Sequence, residues 1–257
     1  SQQLADVQIG GSGATQAGNA LFTAAVDSVL ITLDGGSNAN ETALAEFQNS
    51  ITATTIIIDD ATGEATLTVN ATNGAQTVAA TIDGGTAGDG TLAVIDDDAD
   101  AAPDAITFSG VIGGTTQKIG DLTIGNATQG GSAIFTSANP VVVARMTITG
   151  GDNAAEDSIV ELQDALTATS TTLNDGTGTA TLNINATNGA QTIAGTILGA
   201  AAGEGTLGVF DGDAGASDLA TFSGNIGATS LLAINIGTAT QGGEANFGST
   251  SAAATVT

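Results

Sequence analysis

Residues 70–77 read NATNGAQT, and the same eight letters return at residues 185–192, an interval of 185 − 70 = 115 residues. The likeness extends on both sides. Residues 65–77 (ATLTVNATNGAQT) match 180–192 (ATLNINATNGAQT), 88–94 (GDGTLAV) match 203–209 (GEGTLGV), and 107–110 (TFSG) match 221–224. Ala-Thr-Gln begins at Ala14, Ala127 and Ala239. A fixed long period means that one supersecondary unit is stacked on itself. We read residues 1–257 as a single continuous rod with internal repeats at about 6–120, 121–230 and a partial 231–257.

Inside each repeat a short apolar-polar-apolar pulse recurs, the alternation of a β-strand. The pulses are Val7/Ile9, Ile31/Leu33, Leu67/Val69, Leu92/Val94, Leu122/Ile124, Met146/Ile148, Leu182/Ile184, Leu207/Val209 and Ile234/Ile236. Their spacings run 24, 36, 25 and 30, then 24, 36, 25 and 27. Steps near 25 residues with Gly-rich corners predict an all-β chain, a parallel β-solenoid of about nine coils. At about 4.8 Å per coil its core is on the order of 40 Å long. The motifs around Phe108 and Phe222 predict a stacked Phe column inside. Ile159, Leu162 and Leu166 stand at helical spacing, so the 36-residue step holds either two short coils or one coil with a helical insertion. The alternative fold is two tandem β-sandwich domains of about 115 residues. It leaves the inner steps unexplained, and the chain has no Trp or Tyr for a sandwich core.

The charge narrows the function. Twenty-seven acids against Lys118 and Arg145 give a net charge of −25. No basic stripe can neutralise phosphates, which excludes nucleic acid. Apolar runs such as residues 140–144 are too short for membrane insertion. Self-repulsion on this scale calls for salt or bound cations, and the absence of Cys suits an exported protein. We expect an extracellular or cell-surface location.

The repeats at 172–182 (TLNDGTGTATL), NATNGAQT and the Phe-Ser-Gly-x-Ile-Gly motif resemble those of long repetitive bacterial surface proteins: giant adhesins, autotransporter-like passengers and surface-layer proteins. The resemblance covers nearly the whole chain. It implies a parallel β-solenoid stalk, secretion, calcium tolerance and no catalysis, and it supplies no site residues. The nonapeptide Gly-Gly-x-Gly-x-Asp calcium pattern is absent.

Candidate sites are few. Asp96, Asp98 and Asp104 fall on Asp211, Asp213 and Asp218 of the second repeat. Alternate carboxylates in a tight loop suit calcium, a hard cation bound through oxygen; the plain alternative is a solvated acidic corner. Asp152, Glu156 and Asp157 form a weaker loop of the same kind. Asn40, Asn70, Asn126 and Asn185 open glycosylation sequons, of a kind that chance supplies in an Asn- and Thr-rich chain. Thr-x-Thr pairs invite an ice-binding reading, but uneven coil steps argue against a regular array and β-propensity accounts for the Thr. With no His and no Cys the usual bases, thiols and zinc sites are missing, so we expect no enzyme and no catalytic residues. Lys118 and Arg145 read as surface charges or as salt-bridge partners across a subunit contact.

The first and last coils share one repeat phase, which favours head-to-tail stacking of the chain on itself into a filament or surface layer. The second expectation is a calcium-stiffened adhesin stalk whose partner is a cell-surface glycan.

Overall fold

The computed structural model describes residues 3–11, 17–97, 103–136, 140–187, 189–213, 215, 218–249 and 251–256. Among these there are 21 strands and no helix. The first repeat holds β1 (Leu4–Gly10), β2 (Gly18–Phe22), β3 (Val26–Asp34), β4 (Thr42–Phe47), β5 (Ile51–Asp59), β6 (Glu64–Asn70), β7 (Gln76–Gly84), β8 (Asp89–Ile95) and β9 (Ala105–Phe108). The second continues with β10 (Ile119–Ile124), β11 (Gly131–Phe135), β12 (Val141–Thr149), β13 (Ser158–Leu162), β14 (Leu166–Asn174), β15 (Ala180–Asn185), β16 (Gln191–Gly199), β17 (Thr206–Phe210) and β18 (Leu219–Phe222). The chain closes with β19 (Ile226–Ile236), β20 (Glu244–Phe247) and β21 (Ser251–Val256).

Strands pair in parallel with the strand one coil away, β1 with β3 and β2 with β4, as a winding chain must. The nine-residue strands bend around corners. In β3 the buried residues are Val26, Ser28, Ile31 and Leu33, so the alternation slips by one at Val29 and Leu30. The same slip follows Ala53 in β5, Val143 in β12 and Ala168 in β14. The chain therefore wraps a three-sided prism. Face 1 begins with β1, face 2 with β2 and face 3 with the first residues of β3. One inward column on face 3 runs Val26, Ile51, Val78, Phe108, Phe135, Leu162, Ile184, Val209, Ile236. The rod makes about nine turns, and nine steps of about 4.8 Å make it about 43 Å long. The solenoid is the observed fold, and the sandwich alternative is excluded.

The coil lengths differ from those the pulses predicted. Down face 1, the inward residues Val7, Ile31, Ile56, Ile82 and Ile112 are paired in turn, with spacings of 24, 25, 26 and 30 residues. Leu122 is the repeat copy of Val7, yet it lies on face 2, stacked on Leu92, Leu67, Ala45 and Ala20. Down face 2 from there, Leu122, Met146, Thr171, Ile197 and Ile226 follow at 24, 25, 26 and 29. The next copy of Val7, Ile234, is on face 3. One repeat is thus four turns and one face. Each copy is rotated by a third of a turn against the last, and three copies would restore the phase. The 36-residue step is one turn plus one face, not two short coils.

Two further expectations are corrected. The segment expected to offer a helix forms β13 and β14 around a corner at residues 163–165. Val160, Leu162 and Leu166 point inward while Ile159 is only half-buried. The Phe residues form no single column. They make three two-ring stacks on three faces: Phe22 with Phe47, Phe108 with Phe135 and Phe222 with Phe247, at centroid distances of 4.4, 4.9 and 5.2 Å. The third-of-a-turn rotation separates them.

Candidate functional site

The corners carry the polar side chains that sequence reasoning singled out. Between β17 and β18, Asp211 is 5% exposed. Its Oδ1 accepts the Asp213 N–H at 3.1 Å and its Oδ2 accepts the Asp218 N–H at 3.1 Å. One carboxylate oxygen from each of Asp211, Asp213 and Asp218 lies within 4.8 Å of the others. Three carboxylates converging this closely can hold a hard cation such as calcium. In the first repeat Asp96 is 4% exposed and its Oδ2 accepts the Asp104 N–H at 2.5 Å. Asp98 lies outside the described residues. The buried Asp of each pair thus also ties its own loop closed. The two corners occupy different edges of the prism. Residues 96–104 join face 2 to face 3, and residues 211–218 join face 3 to face 1.

The weaker acidic loop does not converge. Glu156 Oε2 accepts the Gly130 N–H of the preceding coil at 2.8 Å. Asp157 Oδ1 accepts the backbone N–H and the hydroxyl of Thr179 in the following coil, both at 2.7 Å.

NATNGAQT is a corner clamp. Asn70 is 1% exposed; its Nδ2 donates to Glu46 Oε1 at 2.9 Å, and Gln48 Nε2 donates to the same oxygen at 2.8 Å. Gln76 Nε2 donates to the Asn70 carbonyl at 2.6 Å. The second repeat builds the same set from Asn185, Glu161, Gln163 and Gln191. Gly74 turns the corner at φ +95° and Gly189 at φ +99°, where L side chains are disfavoured. Val78 and Ile193 then turn inward, both fully buried. The Oε1 atoms of Gln76 and Gln191 are buried without a protein partner. Sequence reasoning passed over Glu46, Glu161 and both pairs of Gln, although Glu-x-Gln at 46–48 recurs at 161–163.

The chain matches no known protein family, no curated protein and no solved structure.

The Asn70 and Asn185 side chains are buried, and their amides already donate to Glu46 and Glu161. Asn126 Nδ2 donates to Gln129 Oε1 at 2.8 Å, and Asn40 is exposed. Arg145 pairs within the chain: its Nε and Nη2 reach Asp121 Oδ1 and Oδ2 of the adjacent coil, both at 2.6 Å. Such an exposed pair adds little stability. The outward Thr are more regular than expected. Thr68, Ala93, Thr123, Thr147 and Thr172 stack in register on face 2, because corner loops absorb the differences in coil length. The adjoining ladder is broken by Asp121 and Arg145.

Acidic residues also stack along the corner after face 1, where Asp34 pairs in register with Asp59. Burial pushes the Asp59 carboxyl above the ordinary Asp value, and Asp34, Asp89 and Asp60 push the same way against a lowering bond from the Ala61 N–H. Burial also raises Asp83, against a bond from Gly114. A carboxyl raised in the folded state binds its proton before the unfolded chain does. Stability therefore increases as pH falls through the raised values and levels off below the ordinary Asp value. We expect the melting temperature of Asp59→Asn to respond less to acidification from neutral pH than that of the parent. Identical slopes in thermal melts would contradict this.

Proposed function

We propose that the chain is a structural, non-enzymatic, extracellular protein that associates end to end with copies of itself into a filament or surface layer. The observation that carries this reading is where apolar side chains reach the surface. Among the described residues the large exposed ones are Leu4, Leu21, Val29 and Leu44, in the first two coils, and Leu232, in the ninth. The described residues of the coils between expose no large apolar side chain. Apolar side chains exposed on the end coils alone mark surface that another copy of the chain can cover, the first two coils of one against the ninth of the next. A head-to-tail contact of this kind propagates, and net negative charge along the sides discourages lateral clumping.

The test is electron microscopy of the 257-residue chain at physiological ionic strength with millimolar calcium. Filaments one rod wide are expected, and Leu21→Asp is expected to shorten them. Single rods at all concentrations would refute the proposal. A second reading, a calcium-stiffened adhesin stalk, is favoured by the convergence of Asp211, Asp213 and Asp218. It requires the melting temperature to rise with calcium and fall back with a chelator; a melt indifferent to calcium removes it.

A further inference from the structure

Six of the seven phenylalanines pair inside the rod. Phe210 does not. It closes β17 on the outward side of face 3, half-buried and outside the hydrophobic core. There it lines an open groove of about 700 Å³ with Thr181, Asn183, Thr206, Gly208 and Asn235. The outward ladder on these three coils runs Asn183, Gly208, Asn235. Gly208 puts no side chain between the two amides, and the Asn183 Oδ1 leans over it.

The first repeat supplies an internal control. Its equivalent coils stack the same kind of inward residues: Leu67/Val69, Leu92/Val94 and Leu122/Ile124 answer Leu182/Ile184, Leu207/Val209 and Ile234/Ile236. Outward, the first repeat has Thr68, Ala93, Ile95 and Thr123 where the second has Asn183, Gly208, Phe210 and Asn235. The same coils form without the amides, the ring or the gap, so folding does not require them. Four outward positions that line one groove have changed together while the core residues kept their character.

The lining also has a defined chemistry. On a chain of net charge −25, none of the residues lining this groove is charged. A cation finds no carboxylate there and an anion finds no base. An Asn amide has two N–H donors and a carbonyl acceptor in all, more than a single partner uses, and a Thr hydroxyl can both donate and accept. The Phe210 ring adds an apolar surface. A concave site with convergent polar groups and one aromatic wall is a binding site for an uncharged ligand rich in hydroxyls with an apolar C–H face. We propose that this groove binds a neutral saccharide chain, with a sugar ring packed on Phe210 and its hydroxyls bonded to Asn183 and Asn235. The two Asn lie two coils apart, about 10 Å, so more than one sugar residue is engaged. Binding needs one rod only and stands or falls apart from end-to-end association.

The test is calorimetric titration of the whole chain with cellohexaose, xylohexaose, mannohexaose and maltohexaose. At least one is expected to bind saturably. The variant Asn183→Thr/Gly208→Ala/Phe210→Ile/Asn235→Thr returns the groove to the first repeat's residues. A methyl at Gly208 meets the flexible end of Asn183 first and the backbone there is not left-handed, so the fold is expected to survive, as an unchanged melting temperature would show. This variant is expected to bind at least about tenfold more weakly. Phe210→Ile alone should weaken binding in the same direction. No saturable binding of any of the four at millimolar concentration, or equal binding by the four-position variant, would overturn the proposal.

Discussion

Replacing Phe108 with alanine is expected to lower the unfolding free energy by about 3–5 kcal/mol. The side chain is fully buried, stacks on Phe135 at 4.9 Å between ring centroids, and fills the level above Val78. In a prism one strand thick on each side, no second layer can move in to fill the space. The loss combines the transfer of the ring with a cavity that parallel ladders above and below keep open. The contrast is Phe210→Ala, outside the core, where the cost is expected to stay within about 1 kcal/mol. Urea unfolding followed by circular dichroism reads both. Equal losses would mean that the two rings are packed alike and would contradict the placement of Phe108 inside the core and Phe210 outside it.

Gly110→Val is expected to cost at least about 2–3 kcal/mol, by overpacking rather than by a cavity. Two residues after Phe108 the chain crosses the corner against the coil below. A Cβ at Gly110 would fall on the Ala80 carbonyl oxygen, and one at Gly224 on that of Gly195. The obstacle is backbone, so it cannot rotate away. This is why Phe-Ser-Gly is repeated as a unit: the ring fills the core and the glycine lets the next coil settle on the last. A valine at either position that melted with the parent would show that the coils are not in this contact.

The parallel solenoid, its all-β character and its approximate turn count were legible in the sequence, because alternation and a long period have few other solutions. The rotation of the repeat was not. Alternation shows that a strand has an inside, not which face of the prism it belongs to. At Ile56 and Ile58 the outward Ile57 hides the pulse, and at the equivalent place in the second repeat the inward residue is Thr171, 1% exposed. The visible pulse therefore passed from Ile31 on face 1 to Leu67 on face 2, and a turn and a third looked like one long coil. Among the sites, Asp211, Asp213 and Asp218 were legible because they are close in sequence. Asn70 and Asn185 stood out in the sequence only as sequons, because the partners of their clamp, Glu46 and Glu161, lie one coil and 24 residues earlier. The groove at Gly208 was overlooked for the opposite reason: attention to what the repeats share passes over the four outward positions where they differ.

The coil register is the central claim, and engineered cysteines test it without interference, since the chain has none of its own. Thr32 and Ile57 are paired in register on face 1, about 4.8 Å apart and within reach of a disulfide. Stacking by the visible pulses would instead set Thr32 beside Thr68. Mild oxidation of Thr32→Cys/Ile57→Cys is expected to give an intramolecular disulfide, seen as a mass loss and a shift on a non-reducing gel, while Thr32→Cys/Thr68→Cys stays reduced. The reverse outcome would contradict the rotated repeat and restore a 36-residue coil.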